Sequence, residues 1–122
     1  MISSTRPTIL IVEDEPLVRM VAADAFLDLG FLVLEAVDAA DALRVHGENL
    51  HTAVLFTDVN MPGVLNGIDL AEQLKALAPG LHIIIASALP VLRTVDHIPA
   101  TFISKPYELE VVCSTARELL AA

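Results

Sequence analysis

Short apolar runs alternate along this chain with longer segments in which apolar residues return every three or four positions. Residues 8–12, 31–35, 53–57, 82–86 and 101–104 are runs of the first kind and read as five strands. Their hydrophobicity is nearly continuous rather than alternating, which marks strands covered on both faces, as in a parallel sheet. Between them, Pro16 suits a first helical turn, and Leu17, Val21 and Ala25 with Val18, Ala22 and Leu29 predict the inward stripe of a helix that Gly30 ends. Asp38 and Asp41 frame the start of a second helix running to about Gly47. Asn66 caps a third that carries Leu70, Leu74 and Leu77 on one side and stops at Pro79-Gly80. The last helix shows Leu109, Val112, Cys113, Ala116, Leu119 and Leu120 on one face.

Strands alternating with helices require right-handed crossovers, so the expected fold is α/β, a doubly wound five-stranded parallel sheet. Ligands of such sheets bind at the carboxyl ends of the strands. The residues just past those ends are therefore the informative ones. Glu13 and Asp14 follow the first strand, Asp58 the third, Ser87 the fourth and Lys105 the fifth. Three acids, a hydroxyl and an ammonium meeting at one sheet edge form the layout of a site for a metal ion and a phosphoryl group.

Composition narrows the rest. The 122 residues fit one domain, 1–122, with no repeat or linker. Seven basic against sixteen acidic residues give a net charge of −9, which repels phosphate backbones, so no nucleic acid is expected as a partner. The same charge favours a partner with a basic patch or a divalent cation. Apolar runs are too short to cross a bilayer and no signal peptide opens the chain, so no membrane association and a cytoplasmic location are expected. Cys113 is the single cysteine, placed in an apolar stripe as a buried packing thiol. His46, His51, His82 and His97 lack ligand spacing and read as surface or structural.

The segments Ile11-Val12-Glu13-Asp14-Glu15, Thr57-Asp58-Val59-Asn60-Met61-Pro62-Gly63, Ala86-Ser87-Ala88 and Phe102-Ile103-Ser104-Lys105-Pro106-Tyr107 resemble, in order, the motifs of the response-regulator receiver domain. The resemblance runs from about Thr8 to Leu120. It implies a flavodoxin-like (βα)5 fold with strand order 2-1-3-4-5 and transfer of a phosphoryl group from a histidine kinase or histidine phosphotransfer protein onto one aspartate. By the same resemblance Asp58 is expected to be that phosphoacceptor. Oxygen-only ligands suit Mg²⁺, with Asp14 and Asp58 as direct ligands. By resemblance the backbone carbonyl of Asn60 adds a third protein oxygen and Glu13 acts through coordinated water. Lys105 would neutralise phosphoryl oxygens, and Ser87 would donate its hydroxyl to the new phosphoryl group. A cis Lys105-Pro106 bond is expected on the same ground. Ser87 and Phe102 fall at the switch positions, and as Phe the latter reports by packing alone.

Two features depart from the usual receiver. Val64-Leu65 adds one residue to the loop beside Asp58. Only seventeen residues, with Pro90 and Pro99 among them, separate Ser87 from Lys105, which predicts a shortened fourth helix. The segment 89–100 is then expected to be the least regular part of the fold and the place where phosphorylation is read out. The resulting expectation is a stand-alone phosphoacceptor of a two-component system or phosphorelay that signals to a downstream protein target by contact. Such a protein phosphorylates and dephosphorylates itself and is not a turnover enzyme on an external substrate. The alternatives are a receiver segment of a hybrid histidine kinase and a binding-only pseudo-receiver. An aspartate-nucleophile phosphatase fits less well, because such enzymes want a second acid where Asn60 stands.

Overall fold

The three central strands are buried almost end to end, which is why their sequences are apolar throughout. In the computed structural model, which describes residues 6–88 and 98–121, the sheet runs β2-β1-β3-β4-β5 with every neighbouring pair parallel. Its strands are β1 (Thr8–Val12), β2 (Leu32–Ala36), β3 (Val54–Asp58), β4 (His82–Ser87) and β5 (Ala100–Ser104). The described helices are α1 (Pro16–Asp28), α2 (Ala39–Glu48), α3 (Gly67–Leu77) and α4 (Leu109–Ala121). Alternate strand residues feed two cores. Leu10, Val12, Leu55, Ile83 and Ile85 pack with Ala42, Val45, Leu70 and Leu74 of α2 and α3. Ile9, Ile11, Val54, Phe56 and Ile84 pack with Ala22 and Phe26 of α1 and Val112 and Ala116 of α4. The expected doubly wound sheet and its order are both present.

Several local expectations shift, each for a traceable reason. Phe31 does not begin β2, because its backbone closes α1 instead. Phe31 N–H donates to the Phe26 carbonyl (3.1 Å) and Gly30 N–H to Leu27 (2.9 Å), a Schellman pair that requires the positive φ of Gly30, +91°. The Phe26 and Phe31 rings then meet edge to face at 5.0 Å. This closure also decides which side of α1 faces the sheet. Ala22, Ala23 and Phe26 are inside, whereas Leu17 and Val21 of the expected stripe are 71% and 52% exposed and Leu29 is also exposed. On α3 the buried face is Gly67, Ile68, Leu70, Ala71 and Leu74, and Leu77 points outward.

The expected shortened fourth helix falls on residues 89–97, as does His97, and lies outside the described residues. Where description resumes, Ile98 is buried in the core beside α3 and β4, so this end of the 89–100 segment is anchored. Asp38 caps α2 by accepting from Asp41 N–H at 2.8 Å. His46 is structural, buried in α2, and its Nε2 has no hydrogen-bond partner among the described residues. Cys113 is buried on the inner face of α4, and burial pushes its thiol pKa up, so it stays protonated.

Candidate functional site

The carboxyl ends of β1, β3, β4 and β5 share one edge of the sheet, and the loops leaving them hold the polar residues. Past β1, Glu13 N–H donates to the Ala36 carbonyl at the end of β2 (3.1 Å), and a Glu13 carboxylate oxygen accepts from Glu15 N–H (3.0 Å). Asp58 is the last residue of β3, paired with Ala86, and only 7% exposed. At β5 the Lys105 N–H donates to the Ser87 carbonyl (2.8 Å), tying the two strand ends together. The Lys105-Pro106 bond is cis, as expected. Lys105 Nζ stands 2.6 Å from Asp58 Oδ1.

The loop after Asp58 is shaped by two glycines and a cap. Gly63 takes φ +107°, and the additional residue is absorbed outward, with Val64 almost wholly in solvent. Asn66 and Asp69 form a reciprocal capping box at the start of α3. Gly67 N–H donates to Val59 O (2.8 Å), and a Cβ at this position would drive into the backbone carbonyl of Asp58. Gly67→Ala will therefore displace the Asp58 peptide. We expect a loss of about 1–3 kcal/mol, the range for overpacking, measured by urea denaturation.

One carboxylate oxygen from each of Glu13, Asp14 and Asp58 lies within 4.8 Å of the others. Glu13 and Asp58 are buried and Asp14 is exposed, so the cluster opens to solvent on the Asp14 side. Burial first, and then a hydrogen bond with Asp58, raise the Glu13 pKa to about 8, only partly offset by the Glu15 N–H. A proton is thus held where a cation would sit. The donors are all oxygens, carboxylates dominate, and solvent has access, which is the chemistry that suits Mg²⁺. Asn60 is exposed and lines the same groove as Asp58 and Lys105. Ser87 ends β4, one step past the Asp58–Ala86 pair, and Phe102 sits half-exposed on the edge strand β5.

Two neighbours were not singled out from sequence. Tyr107 packs edge to face on Phe56 at 5.7 Å, and its phenol pKa is pushed up to about 12 by burial and by the charges of Asp58 and Glu13. Its place directly after Lys105-Pro106 was the available signal. Arg19 of α1 donates to the Glu13 carbonyl (2.8 Å) and pairs with Glu35 of β2 (3.1 Å). A single arginine within the apolar first turns of the helix was the hint. Leu17, Val18, Val21 and Leu109 form the apolar wall of a groove that leads to Asp58 and Lys105.

The sequence matches the family model described as response regulator receiver domain over residues 9–117. The chain belongs to the response-regulator receiver domain family. Among curated proteins, this receiver domain is 32% identical over 111 residues to the sensor histidine kinase RcsC of Escherichia coli (strain K12), covering 88% of the chain but 12% of RcsC. It thus spans a small fraction of that relative's length. Among solved structures it is similar to the receiver domain of the hybrid histidine kinase CckA, with 31% identity, a TM-score of 0.74 and coverage of 93% and 98% of the two chains. A CheY-like receiver protein from Methanospirillum hungatei JF-1 shares the fold with a TM-score of 0.87 at 22% identity, covering 96% and 95%. No helix among the described residues is long and apolar enough to cross a membrane.

Proposed function

We propose that this receiver domain accepts a phosphoryl group on Asp58 from the phosphohistidine of a histidine kinase or phosphotransfer protein, in the cytoplasm, and passes the signal on by protein contact. The observation that carries the reading is the Lys105 ammonium on Asp58 Oδ1 at 2.6 Å, beside three carboxylates gathered within 4.8 Å. Asp14, Asp58 and the Asn60 carbonyl are the oxygens that would hold Mg²⁺, with Glu13 reaching it through water. When bound, the ion neutralises phosphoryl oxygens and cancels repulsion among the acids.

A carboxylate oxygen of Asp58 attacks phosphorus. The phosphorus–nitrogen bond breaks, and its electron pair stays on the imidazole of the donor. Lys105 moves from the carboxylate to the new phosphoryl oxygens, and the Ser87 hydroxyl donates to another. Positioning and electrostatics supply nearly all of the acceleration in such a transfer. Hydrolysis later attaches water oxygen to phosphorus, releases inorganic phosphate and restores the Asp58 carboxylate. The domain is thereby reset rather than turned over on a foreign substrate.

The test is incubation with acetyl phosphate and Mg²⁺ followed by intact mass and peptide mapping. One hydroxylamine-sensitive phosphoryl group per chain, on Asp58, is the expected product, and an unlabelled chain would defeat the proposal. The partner class has its own test. The groove beside Asp58 joins an apolar wall to an acidic rim of Asp14 and Glu15, matching a donor helix with an apolar face flanked by basic residues. Glu at both Leu17 and Val21 should slow transfer from a phosphorylated histidine phosphotransfer protein by at least about tenfold, as loss of a desolvated interface residue does. Labelling by acetyl phosphate should not change. Unchanged transfer from the phosphotransfer protein would place its docking elsewhere, and equal slowing with both donors would trace the effect to the phosphoacceptor site rather than to docking.

A further inference from the structure

We propose that Arg19 is a positioning residue for the acidic cluster, pinning the peptide between Glu13 and Asp14 so that both carboxylates are presented to the cation. The inference rests on the phosphoacceptor reading. Arg19 does not touch the carboxylates of the site. Its Nη1 donates instead to the backbone carbonyl of Glu13 at 2.8 Å, while Nε donates to Glu35 Oε1 at 3.1 Å.

That carbonyl belongs to the peptide bond joining the two acids, so its direction sets how the backbone leaves Glu13 and enters Asp14. Two backbone donors of the turn are also held. Glu13 N–H is held by Ala36 O, and Glu15 N–H by the Glu13 carboxylate. With Arg19 on the Glu13 oxygen, the peptide plane cannot rotate without breaking a charge-assisted hydrogen bond.

Burial says which end of the device is fixed. The Arg19 side chain is 18% exposed and that of Glu35 47%, so the guanidinium is the sheltered member and Glu35 its solvent-side anchor. Serving two acceptors at once needs the planar fork of arginine; a lysine ammonium is a single point charge on a flexible stem. The pin therefore ties α1 and β2 to the loop that carries two of the three acids.

A turn freed of this pin must be ordered when the cation binds, so the loss should appear in Mg²⁺ affinity rather than in chemistry at saturation. Calorimetric titration with MgCl₂ and acetyl phosphate labelling across Mg²⁺ concentrations separate the two. For Arg19→Met we expect the Mg²⁺ Kd to rise at least about tenfold, the usual cost of removing an outer partner of a metal site. The labelling rate at saturating Mg²⁺ should return to the wild-type value. Arg19→Lys should be weakened too, whereas Glu35→Gln, which keeps an acceptor oxygen, should lie close to wild type.

An unchanged Kd in folded Arg19→Met overturns the proposal, and so does a rate deficit that saturating Mg²⁺ fails to restore. If Arg19→Met does not fold, Glu35→Ala removes the anchor from the exposed side without opening the core. It should raise the Kd, and an unchanged value there is equally fatal. Wild-type protein that neither binds Mg²⁺ nor labels would remove the phosphoacceptor reading itself, whereas a wild type that does both beside unaffected variants would remove only the role of Arg19.

Discussion

Asp58→Asn will abolish labelling by acetyl phosphate in the presence of Mg²⁺. The amide keeps the shape of the side chain but offers no anionic oxygen to attack phosphorus, and the acyl phosphate cannot form. Asp58 is also the partner of Lys105 at 2.6 Å and a member of the three-acid cluster, so Mg²⁺ affinity should fall in the same variant. Intact mass after incubation reads the first effect and calorimetry the second. Stoichiometric labelling of Asp58→Asn would move the phosphoacceptor to another residue. The Glu13 pKa should drop only part of the way in this variant, because burial outranks Asp58 among the causes that raise it.

The stability of the metal-free protein should fall as pH rises from about 4.5 to about 8. Glu13 has its pKa raised from 4.5 to about 8 in the folded chain, so between those values the folded state holds a proton that the unfolded state has released. The contribution is complete below the unfolded value and is lost as pH passes through the folded one. Within that window each pH unit lowers the folded-to-unfolded ratio by up to about tenfold from this group. Cation binding must expel the same proton, so Mg²⁺ affinity should climb over the same interval and level off above it. Urea denaturation at several pH values, with and without millimolar MgCl₂, checks both halves. The slope should flatten when Mg²⁺ is present and disappear in Glu13→Gln. A pH profile that Glu13→Gln leaves unaltered would assign the effect to another group.

Much of this protein is legible in its sequence. Central strands of a covered sheet must be apolar on both sides, so β1, β3 and β4 stand out, and the residues after them must lie at the carboxyl edge. That reasoning alone placed Glu13, Asp14, Asp58, Ser87 and Lys105 together. The edge strands were less sharply bounded because one flank of each faces solvent. β2 begins at Leu32 rather than Phe31, since the Phe31 N–H is taken by the end of α1.

Periodicity had no means of choosing the inward face of α1, because that helix is apolar on both sides. Leu17, Val21 and Leu27 recur as regularly as Ala22, Ala23 and Phe26. Tertiary packing chose the second set, since Phe26 must meet Phe31 where the chain turns into β2 and alanines let the helix sit close to the sheet. The larger side chains were thereby left along the groove that reaches Asp58. The proton held on Glu13, the hold of Arg19 on the Glu13 carbonyl and the lack of room for a side chain at Gly67 likewise emerged only in three dimensions. The order of residue types along the chain determined which chemical groups reach the edge of the sheet. Distances and burial, which depend on segments far apart in sequence, decided how those groups are held and charged.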